Sequence, residues 1–304
     1  MDKEKVLILG SSGFTGYYFR QFLLSSKLDD SFIFLGIDNN SNDHTDIPLI
    51  KIDILDYVSL EKVICDFKPQ YILNFAGTFN TKVFEELVNI NSFCIKNISE
   101  IIIRNDIRVK KIVTVGSAAE YGKPTSLPVT EEGLLNPTNL YGLSKVIQSN
   151  ISKFYFENHG IPIIIARTFN IAGKNLSPNL SIGSFAQQIK SIETKGEISV
   201  GELNVIRDFT SIKEVVKAYW LLLISGKDGD IYNVCSGHPS KLVDLVYRMI
   251  NYSGKDITLR LDKTRNKHSD TDMIIGSNEK IKREVNWSPS EAMLDLTLKE
   301  MIEG

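Results

Sequence analysis

Cysteine is scarce: three residues in 304, Cys65, Cys94 and Cys235, with no CxxC pair. That excludes a disulfide framework and fits a reducing compartment. The four histidines, His44, His159, His238 and His268, are dispersed, and no pair has metal-ligand spacing. Charge of one sign is missing as well. Lys and Arg number 35 against 37 Asp and Glu, a formal net charge of -2, so no global basic field points to nucleic acid or an anionic membrane. Long apolar runs are absent too. Val6-Leu7-Ile8-Leu9 breaks at Gly10, too soon for a signal peptide, and Tyr219 to Ile224 falls far short of a membrane span. There is no internal repeat and no low-complexity linker. With 42% hydrophobic and 24% charged residues, the composition is that of a soluble globular chain of one large or two modest domains, expected in the cytoplasm.

What is present begins at that first break. Val6–Leu9 runs into Gly10-Ser11-Ser12-Gly13-Phe14-Thr15-Gly16, and Tyr17 to Ser25 is helix-compatible. Strand, glycine turn and helix open a nucleotide-binding βαβ unit, in which bare backbone approaches a pyrophosphate at the helix N-terminus. The spacing is GxxGxxG, not the commoner GxGxxG. Phe32–Ile37 reads as a second buried strand ending at Asp38, about 20 residues beyond the last glycine, where a carboxylate would accept ribose hydrogen bonds and repel a 2′-phosphate. That favours NADH over NADPH. Asp38 also opens the turn-rich Asp38-Asn39-Asn40-Ser41-Asn42, so a turn-forming role stays open.

The alternation continues. Strands are expected at Leu49–Ile52, Tyr71–Gly77, Lys111–Val115 and Pro162–Ala166, and helices at Tyr57–Phe67, Val83–Asn105 and Tyr141–Asn158. Continuous apolar strands between helices predict an α/β fold, a Rossmann-type doubly wound parallel sheet, with ligands outside the carboxyl ends of its strands. Gly10, Asp38, Ala76, Ser117 and Arg167 fall at those ends, and the small residues closing Phe75-Ala76-Gly77 would let a cofactor pass close to the backbone. Beyond Arg167 the texture changes. Asn170 to Ser184 reads as loop, with helices at Phe185–Ile192, Asp208–Ile224, Leu242–Ile250 and from Ser288 onward. Ile198–Val200, Ile231–Val234 and Thr258–Leu261 read as strands. Residues 1–168 are expected to form the dinucleotide-binding domain, with segments near 208–236 packing on it, and 169–304 a smaller α/β lobe.

Tyr141 and Lys145 lie four residues apart, on one face of a helix, where an ammonium beside a phenol would lower the phenol's pKa and ready it for proton transfer. Ser117 closes the fifth strand. With GxxGFxG, Asp38, Gly116-Ser117-Ala118-Ala119-Glu120-Tyr121-Gly122 and Tyr141–Lys145, the chain resembles the extended short-chain dehydrogenase/reductase superfamily, the nucleotide-sugar-modifying branch. The resemblance implies that Ser117 binds a carbonyl oxygen, Tyr141 moves the proton and Lys145 holds the nicotinamide ribose. It also implies that Gly10, Ser12, Gly13, Phe14, Thr15, Gly16, Asp38, Asp53, Ile54, Phe75, Ala76 and Gly77 line the site of NADH or NADPH.

Arg167-Thr168-Phe169-Asn170, Val200 to Thr210 and Tyr232 to Gly237 are similar to the GDP-4-keto-6-deoxy-D-mannose reductases, which make GDP-D-rhamnose. By that similarity Asn170, Val200, Arg207 and Lys267 would hold a GDP-linked sugar, Arg207 through its fork of donors. Dehydratases of this branch carry an acidic pair after the catalytic hydroxyl; here those places are Ala118 and Ala119, so reduction is favoured over dehydration. Two stretches depart from the reductases: Thr78-Phe79-Asn80-Thr81 after the fourth strand, and Lys267-His268-Ser269-Asp270 in place of Arg-Pro-Ser-Glu. The sugar, hexose or heptose, therefore stays open. The expected function is NAD(P)H-dependent reduction of a C4 ketone. The alternatives are a C4 epimerase with bound NAD and, from another class, a cofactor-binding regulator without turnover. Leu143, Ile147, Ile151 and Phe154 form one apolar stripe, which faces either the sheet or the partner of a homodimer.

Overall fold

Val6, Leu7, Ile8 and Leu9 have no exposed surface, as a strand covered on both faces requires. In the computed structural model, which describes residues 3–26, 28, 31–40, 47–262, 264 and 271–303, they form β1 (Glu4–Leu9). The chain continues through α1 (Phe14–Ser26), β2 (Phe32–Asp38), β3 (Leu49–Lys51), α2 (Tyr57–Phe67), β4 (Tyr71–Asn74), α3 (Phe84–Val88) and α4 (Cys94–Arg104). Next come β5 (Lys111–Ser117), α5 (Leu140–His159), β6 (Ile163–Thr168), β7 (Asn170–Ala172), α6 (Ser181–Ser191), β8 (Lys195–Val200) and β9 (Ile206–Ser211). The remainder comprises α7 (Ile212–Ser225), β10 (Ile231–Val234), β11 (Pro239–Lys241), α8 (Leu242–Ser253), β12 (Asp256–Leu261), β13 (Met273–Ile274), α9 (Glu279–Val285) and α10 (Glu291–Glu303).

Seven parallel strands run in the order β10-β6-β5-β4-β1-β2-β3. The order reverses between β1 and β4, and ligands bind in the crevice that such a reversal opens at the carboxyl ends. Alternate residues feed opposite faces. Val6, Ile8, Leu73 and Val113 pack with Phe19, Val215, Tyr219 and Leu222 of α1 and α7. Leu7, Leu9, Ile72 and Ile112 pack with Leu60, Ile64, Ile95, Ile98 and Ile102 of α2 and α4. Each such residue, fully buried, contributes about 1.5–3 kcal/mol relative to exposure. A separate cluster joins α6, α8 and α10 to β8, β9 and β12. Phe14 touches both this cluster and that of α1 and α7, and Tyr18 Oη donates to Lys174 O at 3.0 Å, so α1 is pinned to the second half of the chain.

Several expected boundaries differ. Asp208–Ile224 is not one helix: β9 occupies 206–211, pairing with β7, β11 and β13, and the helix starts only at Ile212. The Asn170–Ser184 loop contains β7 and the first turn of α6. Strand β4 is Tyr71–Asn74, short of the expected Gly77: Phe75 N still donates to Leu9 O at 3.0 Å, and the next N–H, that of Ala76, turns back to the Asn74 side chain at 3.2 Å. The helical run 83–105 contains a π-helical turn at Asn89–Phe93, where the Asn91 side chain accepts Thr78 N at 2.7 Å and donates to Thr78 O at 2.9 Å.

Candidate active site

The glycine turn is tight for a steric reason. Gly10 has φ +73, and a Cβ there would stand 2.8 Å from Ala76 N and 2.9 Å from the Phe75 carbonyl carbon. A Cβ on Gly16 would collide with the carbonyls of Gly10 and Ser11. Bare backbone is thus brought beneath the N-terminus of α1, with Ser12, Gly13 and Thr15 around it, an arrangement suited to a pyrophosphate. Asp38 closes β2 and is 8% exposed; its carboxylate accepts from Ser12 N at 2.9 Å and Asn40 N at 3.0 Å. The carboxylate therefore both forms the turn and stands beside the glycine loop. Ile52 N donates to Asp38 O at 2.9 Å, which sets Asp53 and the half-buried Ile54 next to it. Phe75 packs edge-on against Phe19, centroids 5.3 Å apart, and lies 5.5 Å from the Tyr219 ring. Gly77 is flanked by two polar groups: a Cβ would lie 3.2 Å from Asn91 Oδ1 and 3.5 Å from Lys145 Nζ. The glycines, the Asp38 carboxylate and the open backbone at Gly77 fit a dinucleotide running along the strand ends.

Ser117, at the end of β5, is fixed through Glu120. One carboxylate oxygen accepts Ser117 N at 2.8 Å, while the other accepts Ser149 Oγ at 2.6 Å and Arg167 Nε and Nη2 at 3.1 and 2.9 Å. Gly116 makes room for this carboxylate, since a Cβ would sit 2.7 Å from its nearer oxygen. Arg167 Nη1 donates to Tyr121 Oη at 2.9 Å, and Tyr121 donates to Asn233 Oδ1 at 2.7 Å. Arg167 lies one residue before the end of β6, and its guanidinium donates to Glu120 and Tyr121 of this buried network. Ala118 and Ala119 follow Ser117 and carry no proton-transferring group.

Asn139 caps α5 by accepting Gly142 N at 2.8 Å, which places Tyr141 in the first turn, near enough to Ser117 for the serine hydroxyl to act on the phenol. Burial pushes the Tyr141 phenol up, opposed by the Ser117 hydrogen bond and reinforced by the negative charge of Glu120. The expected lowering by Lys145 is not what this arrangement gives. Lys145 Nζ turns instead to Val115 O and Gln148 Oε1, both at 2.9 Å, and burial brings its pKa down to about 8 against the opposing charge of Glu120. The phenol of Tyr219, bonded to Thr168 Oγ1 at 2.7 Å, lies close enough to Tyr141 for the two charges to be felt.

The proposed sugar-side residues come from β7, β8 and β9. Asn170 Nδ2 donates to Asp208 O at 3.1 Å. Val200 is buried in the second-lobe cluster, and its carbonyl accepts Asp262 N at 2.8 Å. Arg207 bonds backbone carbonyls, Ile206 O and Thr271 O at 2.8 Å and Asp272 O at 3.1 Å, and burial lowers its pKa against the pull of Asp272. It does not pair with Asp208, whose buried carboxylate accepts Ser236 N, Gly237 N and Gly276 N at 2.7, 2.9 and 3.3 Å. Thr271 Oγ1 donates to Gly122 O at 3.1 Å, so Arg207 is linked to the loop that follows Ser117. Lys267 lies outside the described residues. Among the described residues no three metal-capable side chains cluster, and no helix is long and apolar enough to cross a membrane. Sequence reasoning passed over Gln148, Thr114 and Asn74, whose partners lie up to 40 residues away; only the i, i+3 spacing of Lys145 and Gln148 was a local signal.

The parallel sheet with Ser117, Tyr141 and Lys145 at the carboxyl edge of its strands is the arrangement of the short-chain dehydrogenase/reductase class. A model of the GDP-mannose 4,6 dehydratase family matches residues 7–301, and the chain belongs to that family. It is 23% identical to the GDP-6-deoxy-D-mannose reductase of Pseudomonas aeruginosa over 314 residues, 99% of this chain and 95% of the relative. It is 24% identical to a UDP-glucose 4-epimerase of Lactobacillus helveticus, over 96% of this chain and 94% of the relative. Among solved structures it is similar to RMD from Pseudomonas aeruginosa complexed with NADPH, with a TM-score of 0.81, 23% identity and coverage of 99% of this chain and 98% of that one. Such likeness fixes the fold and the family; the reaction within the family has to be argued from the residues.

Proposed function

We propose that the chain reduces the C4 ketone of a nucleotide-linked 4-keto-6-deoxy sugar, with GDP-4-keto-6-deoxy-D-mannose or a heptose counterpart as substrate. The observation that carries this reading is the Ser117 hydroxyl placed close enough to the Tyr141 phenol to act on its titration, beside two alanines, Ala118 and Ala119. A reduction needs one group to orient the carbonyl oxygen and one to protonate it. Elimination of water from the hexose needs a further acid–base pair, for which these alanines offer nothing. When bound, a reduced nicotinamide supplies the hydride. Ser117 orients the ketone oxygen, and the Tyr141 phenol gives it a proton. Lys145 holds the cofactor ribose; the glycine turn and Asp38 hold the other end. Asn170, Val200, Arg207 and Lys267 are assigned to the nucleotide diphosphate and its base, in the half of the chain from 169 on.

A second reading is favoured by the epimerase relative: the same Ser117, Tyr141 and Lys145 would serve a C4 epimerase that keeps its NAD. Stoichiometry separates the two. The purified chain, mixed with NADH or NADPH and freshly made GDP-4-keto-6-deoxymannose, is expected to consume reduced cofactor; no consumption with either would overturn the hexose-reductase reading.

The chain is also proposed to pair as a homodimer through α5. That helix buries a polar face, Ser144, Lys145, Gln148, Ser149 and Ser152, and leaves its apolar stripe outside, with Leu143 38% and Phe154 52% exposed. Ile147, Ile151 and Phe154 line a groove of about 360 Å³ against Lys96 of α4, an outward apolar face that a second copy would cover.

A further inference from the structure

We infer that Gln148 is a positioning residue for Lys145, orienting the ammonium so that one of its donors is left for the cofactor. The inference rests on the proposed role of Lys145 as a ribose ligand. An ammonium has three donors. Two are taken by uncharged acceptors, Val115 O and Gln148 Oε1, each at 2.9 Å. Nζ also lies 3.5 Å from the place a Cβ on Gly77 would occupy, so the side of the ammonium towards Gly77 meets bare backbone.

Gln148 is itself held in place. Its Nε2 donates to Thr114 Oγ1, which also accepts Asn74 Nδ2 at 3.2 Å, and Asn74 Oδ1 accepts Ala76 N at 3.2 Å. Gln148, Thr114 and Asn74 are each at most 1% exposed. A buried chain of uncharged groups therefore runs from Lys145 across β5 to the end of β4, where the cofactor would pass. Gln148 gives direction without neutralising the charge, as a carboxylate in its place would. The other titratable groups acting on Lys145 are Glu120 and Cys94, and Tyr141 shares its helix.

The test uses the full chain and needs no sugar substrate. NADPH and NADH affinities are measured by calorimetry for wild type, Gln148→Leu, Lys145→Met and the double variant. Gln148→Leu is expected to weaken cofactor binding about tenfold in the wild-type background and by under about twofold in the Lys145→Met background. Equal weakening in both backgrounds would make Gln148 merely structural, and unchanged affinity in Gln148→Leu would also overturn the inference. Should Lys145→Met bind the cofactor like wild type, the role of Lys145 fails and the inference with it. Lys145→Met weak with Gln148→Leu normal would sink the inference alone. Gln148→Glu keeps the acceptor and adds charge, so the Lys145 titration midpoint, followed by its 13Cε resonance, should move up; an unmoved midpoint would show that Gln148 does not govern the ammonium. Thr114→Val keeps Gln148 but unmoors it and should give a smaller loss of the same sign, should Gln148→Leu fail to fold.

Discussion

Arg167→Met should be among the most destabilising single changes available in this chain. The guanidinium and the Glu120 carboxylate are 1% and 0% exposed, joined by hydrogen bonds of 3.1 and 2.9 Å. Burial alone would lower the Arg167 pKa, but Glu120 and the Tyr121 phenol raise it, so the guanidinium keeps its charge. Methionine fills a similar volume but leaves Glu120 buried without its counter-charge, still bonded to Ser117 N and Ser149 Oγ. Breaking such a buried pair from one side costs about 3–5 kcal/mol, against a total stability of about 5–15 kcal/mol. Urea unfolding followed by the fluorescence of Trp220 and Trp287, both packed on the α1–α7 cluster, would measure the loss. Adding Glu120→Gln to Arg167→Met should recover most of it, because the stranded charge is gone. A loss under about 1 kcal/mol for the single variant, or no recovery in the double, would refute the claim that a charged Glu120 anchors the strand end that carries Ser117.

Tyr141→Phe should cut turnover by about 10²-fold or more while leaving cofactor affinity in place; unchanged turnover in steady-state assays would remove the phenol from the mechanism. Asp38→Ala should shift the ratio of NADPH to NADH affinity towards NADPH by about tenfold, the loss of one charge-assisted contact, and an unaltered ratio by calorimetry would leave Asp38 with its turn alone. Because burial lowers the Lys145 pKa to about 8, the ammonium is present below that pH and is lost above it. NAD(P)H affinity should therefore hold from neutrality and fall as pH rises through about 8, with Lys145→Met flattening the profile; a pH-independent affinity in wild type would count against the contact. Leu143→Asp with Phe154→Asp should yield a monomeric mass by light scattering where wild type gives a dimer, and equal masses would count against pairing through α5.

The parallel sheet was legible because its signal is local. Four-residue runs such as Val6–Leu9 and Ile163–Ala166 are apolar throughout and abut a turn residue, Gly10 or Pro162, as a strand covered on both faces does. The turn at Gly10 and the Tyr141–Lys145 spacing were equally local. What escaped the sequence depends on distant partners. The helix expected over Asp208–Ile224 gives way to the end of β9 because Asp208 is buried, its carboxylate met by the backbone N–H groups of Ser236, Gly237 and Gly276. The π-helical turn at Asn89–Phe93 arises from Asn91 bonding Thr78 and Ser144, neither of them near it in the chain. The Tyr141 pKa moves up and not down for a related reason. Helical spacing put Lys145 beside the phenol, but Val115 O and Gln148 draw the ammonium away, and burial then dominates.

The most direct measurement of the central claim is the fate of the hydride. With NADPH or NADH deuterated at both C4 positions of the nicotinamide and GDP-4-keto-6-deoxymannose, the account predicts a sugar product carrying one deuteron at C4 and one oxidised cofactor per product. A product without deuterium at C4, or a keto sugar returned unchanged with the reduced cofactor intact, would contradict it.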